Sequence, residues 1–412
     1  MNKKKIINDP VYGFISIPTD LIFDLIEHPY FQRLRYIKQL GMTHLVYPGA
    51  LHTRFHHALG AMYLMGMAVE TLRNKGQNIS HGEEEAVIIA ILLHDIGHGP
   101  FSHALEEIIV EGISHEDISS MLMNNLNEQF CGRLTMAIDI FNGTYNREFL
   151  HQLVSSQLDM DRMDYLNRDS FFTGVSEGVI SSDRIIKMLN VKDDQIAVEV
   201  KGIYSVEKFL IARRLMYWQV YLHKTVIAAE QLLAKILKRS RELALKGESV
   251  FTTPALSHFL KKPISRDAFM NEDHHLQMFA TLDDTDIMAA VKVWAGHDDF
   301  VLSKLCRDLV HRDLYKVDIT NEAPEKQFIA ELTGLAAKKY DITEHEASYF
   351  VFDDIIGNDA YKPGDGNIRI LMKDGTVKDI AAASDNSNLE ALAKTVKKYI
   401  LCYDKRLIEL VK

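Results

Sequence analysis

The chain has 412 residues, of which 47% are hydrophobic and 25% are charged, as in ordinary soluble globular proteins. This composition excludes disordered, collagen-like and coiled-coil proteins. The 57 acidic residues outnumber the 47 lysines and arginines and give a formal net charge of −10, so a sequence-independent binder of nucleic acid or of an anionic membrane is not expected.

The location of the protein is predicted from its apolar runs and its first residues. The longest purely apolar run, 86–93, is far shorter than the roughly 20 residues of a membrane-spanning helix. The first nine residues include lysines but no apolar core or cleavage site of a secretion signal. We therefore predict a cytoplasmic protein without membrane contact. Three widely spaced cysteines, at positions 131, 306 and 402, do not form a disulfide pattern and are predicted to be buried thiols.

Most of the chain has a helical pattern. Apolar residues recur at spacings of three and four, and glycine and proline are few, which predicts a mainly α-helical fold. Helices are predicted over 19–27, 30–39, 54–74, 83–95, 101–111, 115–128, 131–141, 146–167, 182–190, 204–245, 254–261, 265–272, 283–295, 299–311, 323–339 and 388–399.

Two regions alternate apolar and polar residues instead. Residues 196–200 follow a Lys-Asp-Asp turn and predict a small hairpin, and 368–372 and 376–380 flank Asp374-Gly375, a pair favoured in tight hairpin turns. The aspartate- and glycine-rich segment 351–366 is predicted to be a loop. The predicted organisation is therefore a helical core over 1–250 and an α+β region over 251–412, with the boundary near 245–255.

Histidine is unevenly distributed along the chain. Eight of the 18 histidines lie between positions 52 and 115, many more than an even distribution would place there. Histidine is the commonest metal ligand and acid/base group at neutral pH, so this excess indicates a candidate site.

Three segments carry the chemistry. In 52–57, Arg54 and His57 are three residues apart and share a helix face. In 93–103, an adjacent His-Asp pair lies at a predicted helix end, where following glycines let both side chains converge on one ion. In 159–169, Asp161, Tyr165 and either Arg168 or Asp169 line one helical face.

Together these segments predict a metal site. One histidine from the first, the His-Asp pair from the second and one aspartate from the third would supply two imidazoles and two carboxylates. This mixed set suits one divalent ion, Mn, Mg, Fe, Ni or Zn, without choosing among them. Four protein ligands leave water positions for chemistry.

At these residues the sequence resembles a known family, the HD-domain phosphohydrolases. The strings FQRLRYIKQL at 31–40, YPGALHTRFHH at 47–57, HDIGHGPFSH at 94–103, HE at 115–116 and DMDRMDY at 159–165 are similar to those of its deoxynucleoside triphosphate triphosphohydrolase branch. The resemblance covers residues 7 to about 240.

The resemblance implies a role for each matching residue. The metal ligands would be His57, His94, Asp95 and Asp161. The substrate phosphates would be held by Arg54, Arg162, Tyr165 and Arg213, with Arg214 a nearly equal alternative to the last. The reacting phosphorus would be surrounded by His98, His103, Glu106 and His115, with His115 and Glu106 paired to protonate the leaving oxygen. The sugar would be read by Gln39, Leu40 and Asp169, with Tyr221 close by.

The resemblance also implies a nucleotide substrate, most specifically a dNTP, and a homo-oligomer of two or more copies. Hydrolysis at the α-phosphorus would release deoxynucleoside and triphosphate. The alternatives are a phosphomonoesterase or phosphodiesterase acting on another nucleotide, and a nucleotide-binding regulatory protein with residual catalysis. His98, His103 and His115 have an alternative role as capping residues, and His52, His56 and His81 are predicted to be surface or packing residues.

Overall fold

The structure is a computed structural model that describes residues 5–101, 112–358, 361, 366–385 and 396–410. The predicted helix 101–111 falls almost entirely outside these ranges. Within them, no helix combines the length and apolar character needed to cross a membrane.

The helices of the first part of the chain surround the segments of the predicted site. In chain order they are α1 (Asp20–Glu27), α2 (Pro29–Gln32), α3 (Arg54–Asn74), α4 (His81–Leu93), α5 (His115–Gln129), α6 (Thr135–Phe141), α7 (Glu148–Val154), α8 (Met160–Thr173), α9 (Ser182–Met188), α10 (Ile203–Met216) and α11 (Lys224–Leu245).

The later helices belong to the C-terminal region. They are α12 (Pro254–Leu260), α13 (Arg266–Asn271), α14 (Asp273–Phe279), α15 (Asp284–Trp294), α16 (Phe300–Val310), α17 (Lys326–Tyr340), α18 (Glu344–Ala347) and α19 (Ile380–Ala383).

Within the described residues, three small sheets accompany the helices. The prediction of a mainly α protein with small β elements is therefore confirmed. The strands are β1 (Ile6–Asp9), β2 (Gly13–Ser16), β3 (Leu189–Lys192), β4 (Gln195–Glu199), β5 (Lys316–Thr320), β6 (Val351–Asn358), β7 (Arg369–Leu371), β8 (Val377–Asp379) and β9 (Val396–Tyr403). The sheet orders are β1-β2, β3-β4-β7-β8 and β5-β9-β6. Both predicted hairpins, β3-β4 and β7-β8, are present.

Two long predicted helices are interrupted. The predicted helix 146–167 is α7 and α8, because Asp159 caps α8 by accepting from the backbone N–H of Arg162 at 2.7 Å and also accepts from Ser156 N at 2.8 Å. The predicted helix 204–245 is α10, a π-helical turn at Tyr217–Tyr221 and α11. His223 caps α11 and separates the two helices.

Two C-terminal predictions were wrong. Residues 351–358 form strand β6 and not a loop, and 396–399 belong to strand β9 and not to a helix; 388–395 lie outside the described residues. The aspartates at 353 and 354 are tolerated because β6 is an edge strand whose polar side chains reach solvent.

Cys306 and Cys402 are buried as predicted, whereas Cys131 is exposed.

The core is continuous across the predicted boundary. Helix α3 packs against α4 and α8, and α11 packs against α16 of the C-terminal region. Strand β4 pairs in parallel with β7, so that Val198 lies opposite Ile370. The boundary near 245–255 falls in the segment between α11 and α12, and the division into 1–250 and 251–412 stays a prediction.

Candidate active site

A cavity of about 550 Å³ brings the predicted segments together. The predicted site residues that line it are Gln39, Leu40, Arg54, His94, Asp95, His98, His115, Asp161, Arg162, Tyr165, Asp169, Arg213 and Tyr221. His57 is completely buried beside it. His103 and Glu106 lie outside the described residues.

The first turn of α3 positions Arg54 and His57. Thr53 is the N-cap, and His56 completes a capping box with it, which gives His56 a structural role. The capped turn directs the side chains of Arg54 and His57 inward, and both are buried. Their shared helix face, predicted from the spacing, is therefore turned toward the cavity.

The end of α4 positions His94 and Asp95. The ring nitrogen Nδ1 of His94 donates to the carbonyl of Ile91 at 2.6 Å, which leaves Nε2 facing the other predicted ligands. The turn that follows lies tightly against α5, because a Cβ on Gly97 would come within 2.3 Å of His115 O. Glycine at this position lets α5 approach the site.

The predicted ligands converge on one point. Ligand atoms of His57, His94 and Asp161 all lie within 4.8 Å of one another. Asp161 Oδ1 is 3.1 Å from Nε2 of His57 and 3.5 Å from Nε2 of His94. The carboxylate of Asp95 lies 3.7 Å and 3.4 Å from the same two nitrogens.

This arrangement fits a divalent cation. The Nε2 atoms of His57 and His94 are buried and make no hydrogen bond within the described residues. Burial lowers the pKa of His57, but the carboxylates of Asp161 and Asp164, beside its two ring nitrogens, outweigh it and raise this pKa to about 10. Buried imidazoles and carboxylates of this kind need positive charge between them, and a borderline divalent ion supplies it.

Asp164 orients His57, a role that the sequence reasoning missed. The completely buried carboxylate accepts from His57 Nδ1 at 2.7 Å and from Arg168 at 2.9 and 3.0 Å. Arg168 continues to Asp9 of β1 at 2.7 Å. Since a carboxylate can only accept, Nδ1 keeps its proton, which leaves Nε2 as the nitrogen that can give its lone pair to an ion. The spacing of three residues from Asp161 was the available signal.

Two of the three arginines that line the cavity are held by carboxylates. Arg54 Nη1 donates to Asp95 Oδ2 at 2.5 Å, and Arg162 forms an ion pair with Asp159 of its own helix. Arg213 lines the cavity and is largely buried, whereas Arg214 is not among the lining residues. The structure therefore favours Arg213 over Arg214 as the cavity residue.

Two histidines stack at the cavity wall. The rings of His98 and His115 are 3.9 Å apart and nearly parallel, and His98 Nε2 lies 3.1 Å from Asp95 Oδ1. Burial and the charge of Arg54 hold the pKa of His98 well below its ordinary value. The described carboxylate beside His115 is that of Glu116, at 3.9 Å.

Asp169 connects two rings beside the cavity. It accepts from His52 Nε2 and from the Tyr221 hydroxyl, each at 2.7 Å. The sequence left open whether Arg168 or Asp169 lies at the site. Asp169 is the cavity residue, because Arg168 points to Asp164 and Asp9. His52 is buried and stacks on Phe172, so its packing role is confirmed, but its link to the site was missed.

Comparison with known proteins agrees with this geometry. A family model described as the HD domain matches residues 54–169, and one described as an HD associated region matches residues 180–252. HD domains bind divalent metal ions.

Similar proteins extend the match to nearly the whole chain. The crystal structure of a phosphohydrolase from Bacteroides thetaiotaomicron VPI-5482 is 54% identical, has a TM-score of 0.94 and covers 97% of this chain and 100% of that chain. The uncharacterized protein YwfO of Bacillus subtilis (strain 168) is 33% identical over 398 residues, 93% of this chain and 88% of that protein.

A relative with a named reaction matches part of the chain. The human deoxynucleoside triphosphate triphosphohydrolase SAMHD1 is 31% identical over 264 residues, 53% of this chain and 42% of the human protein. The matched HD domain, the similar phosphohydrolase and the convergence of the His-Asp segments agree, and the chain belongs to the HD-domain phosphohydrolase family.

Proposed function

We propose that this protein is a metal-dependent dNTP triphosphohydrolase that splits a deoxynucleoside triphosphate into deoxynucleoside and triphosphate. The observation that carries the proposal is that three of the predicted ligands, His94, Asp95 and Asp161, line the same cavity as three arginines. The similarity to SAMHD1 supports the substrate class.

In this proposal, His57, His94, Asp95 and Asp161 hold one divalent ion. When bound, such an ion supplies Lewis-acid polarisation of a phosphoryl oxygen and a lowered pKa for a water molecule. Asp164 fixes the ring of His57 in the orientation that directs Nε2 to the ion.

The arginines hold the triphosphate. Guanidinium groups match phosphate oxygens geometrically, and Arg54 and Arg162 are already oriented by Asp95 and Asp159. Because these side chains are ordered before substrate arrives, little reorganisation is needed to align the phosphates for attack. Burial raises the pKa of Tyr165, so its hydroxyl stays protonated and donates to the same oxygens.

The leaving 5′-oxygen of the nucleoside needs a proton. His115 is the more accessible member of the stacked pair and lies near a carboxylate, so we assign proton donation to it. His98, whose pKa is strongly lowered, stays neutral at neutral pH and serves as a hydrogen-bonding partner at the cavity wall.

The test is turnover of a panel of deoxy- and ribonucleotides in Mn²⁺ or Mg²⁺ by the wild-type protein and by Asp161→Ala. We expect dNTP turnover by the wild type and a loss of at least about a hundredfold in the variant. Thermal denaturation of both proteins checks that the variant is folded. Equal turnover by the two proteins, or no turnover of any dNTP by the wild type, would contradict the proposal.

A further inference from the structure

Glu230, on α11, brings a carboxyl group to the cavity that none of the roles above uses. Its side chain is partly accessible and lines the cavity together with Leu40, Gly41 and Leu222. Its Oε1 atom lies 3.4 Å from the point where a Cβ on Gly41 would stand, and Phe101 approaches the same point to 4.0 Å. Glu230 therefore lies beside the segment that follows Gln39 and Leu40.

This carboxyl group has no partner within the described residues: no hydrogen bond and no ion pair joins it to another side chain or to the backbone there. Burial alone raises its pKa to about 8. A partly accessible carboxyl group that faces a cavity without a protein partner is available to hydrogen-bond a ligand there.

The other carboxyl groups of the cavity are already committed. Asp95 and Asp161 belong to the ligand group, and Asp169 uses one oxygen for His52 and the other for Tyr221. Glu116 lies beside His115 and is largely exposed. Among the lining carboxyl groups of the described residues, Glu230 is thus the partly buried one without a protein partner.

The charge of the group decides which part of a nucleotide it can contact. An ionised carboxylate repels phosphate oxygens, and a neutral carboxylic acid gains less from them than the arginines do. If the triphosphate binds the arginines, as the proposed function has it, the uncharged end of the substrate is the part left for Glu230 to contact.

We propose that Glu230 is a substrate-binding residue that hydrogen-bonds the edge of the nucleobase. The inference rests on the proposed function and extends it to the base. A neutral carboxylic acid offers one O–H donor and one carbonyl acceptor, and the Watson–Crick edge of each standard base offers a complementary donor and acceptor side by side. A base without such an edge cannot make this pair.

The experiment compares Glu230→Leu and Glu230→Gln with the wild type on two substrates. One is dATP, and the other is the 2′-deoxyribonucleoside triphosphate of unsubstituted purine, which lacks the amino group. Leucine removes both hydrogen bonds, whereas the glutamine amide keeps one donor and one acceptor and cannot ionise. Lys238→Met, at an exposed position of the same helix, is the matched control.

We expect Glu230→Leu to lower kcat/KM for dATP about tenfold or more and to lower kcat/KM for the purine analogue less, because purine N1 can accept only one of the two hydrogen bonds. Glu230→Gln should restore most of the loss, and Lys238→Met should match the wild type. An equal loss on both substrates, or no loss on dATP, would overturn the inference while leaving the proposed function in place. Absence of wild-type turnover on every dNTP would overturn both.

Discussion

At the scale of single residues, the metal site depends on how the imidazoles are oriented as well as on which residues are present. His57 and His94 each donate Nδ1–H to an oxygen that can only accept, the carboxylate of Asp164 and the carbonyl of Ile91. Both Nε2 atoms are thereby turned toward Asp161. The ligand geometry is therefore built before any ion binds.

Replacing Asp164 by asparagine tests this orientation. The asparagine amide can donate to Nδ1, which moves the ring proton of His57 to Nε2 and removes the lone pair needed for an ion. We expect Mn²⁺ affinity, measured by isothermal titration calorimetry, to fall by about 10- to 100-fold. Asp183→Asn, at an exposed position of α9, is the control and should bind like the wild type. Unchanged affinity of Asp164→Asn would contradict the assigned tautomer.

The sequence predicted these residues unevenly. The clustered histidines, the His-Asp pair and the aspartates of 159–169 predicted a site of two imidazoles and two carboxylates, and the family resemblance selected His57, His94, Asp95 and Asp161. The roles of Asp164 and of His52 could not be predicted in the same way, because each depends on a contact across more than 100 residues of chain. Single-sequence periodicity carries no information about such pairs.

At the scale of elements, polar side chains decide where helices end and how they are joined. Asp159 and His223 each interrupt a long apolar pattern by capping a new helix, and these caps place α8 and the π-helical turn at the cavity wall. Apolar spacing alone continues through both positions, which is why the sequence predicted single helices there.

A similar polar junction holds α11 to the C-terminal helices. Arg239, which is buried, donates to Asp299, the N-cap of α16, at 2.6 and 3.1 Å and to Glu346 of α18 at 3.0 Å. Burial raises the pKa of Asp299, but the hydrogen bonds from Arg239 outweigh it and lower the pKa below its ordinary value. A carboxyl group with a lowered folded-state pKa stabilises the fold above its unfolded pKa near 4 and loses that contribution as the pH falls.

Arg239→Met should therefore lower the free energy of unfolding and make this free energy less sensitive to acid pH. We expect the free energy of unfolding at pH 7, from urea denaturation, to fall by about 3 kcal/mol, because Asp299 is left without its partner. Between about pH 5 and pH 3 the wild type should lose more stability than the variant. Lys238→Met provides the control and should follow the wild-type curve. An identical pH dependence of Arg239→Met and the wild type would show that this junction does not carry the effect.

At the scale of the whole molecule, the C-terminal region is part of the structure that holds the site. Arg33 donates to the carbonyls of Ile96 and His98 in the site loop and to that of Leu282. Asp284 accepts from the backbone N–H groups of Lys38 and Phe101. The net charge of −10 is compatible with the proposed phosphate site, because three arginines line the cavity and a divalent ion would add two positive charges.

A fragment ending at residue 250 tests this dependence. It would lack the β7 partner of β4, helix α16, which packs against α11, and one of the three carbonyl acceptors of Arg33, that of Leu282. We expect the full chain to unfold in one cooperative thermal transition and the fragment to show none, with strong binding of a hydrophobic dye. A sharp transition in the fragment would instead establish 1–250 as an independent domain.

The oligomeric state is a separate expectation for the whole molecule. The resemblance to dNTP triphosphohydrolases implies two or more copies, and multi-angle light scattering of the purified protein should give at least twice the chain mass of 47.0 kDa. A monomer at micromolar concentration would contradict it.

The proposed reaction breaks the bond between the α-phosphorus and the 5′-oxygen of the nucleoside, and hydrolysis in ¹⁸O-labelled water tests this most directly. The wild-type protein is incubated with a dNTP and Mn²⁺, and the products are identified by mass spectrometry. Attack at the α-phosphorus predicts one labelled oxygen in the released triphosphate and none in the deoxynucleoside. Label in the deoxynucleoside, or release of monophosphate with pyrophosphate or of inorganic phosphate alone, would contradict the account.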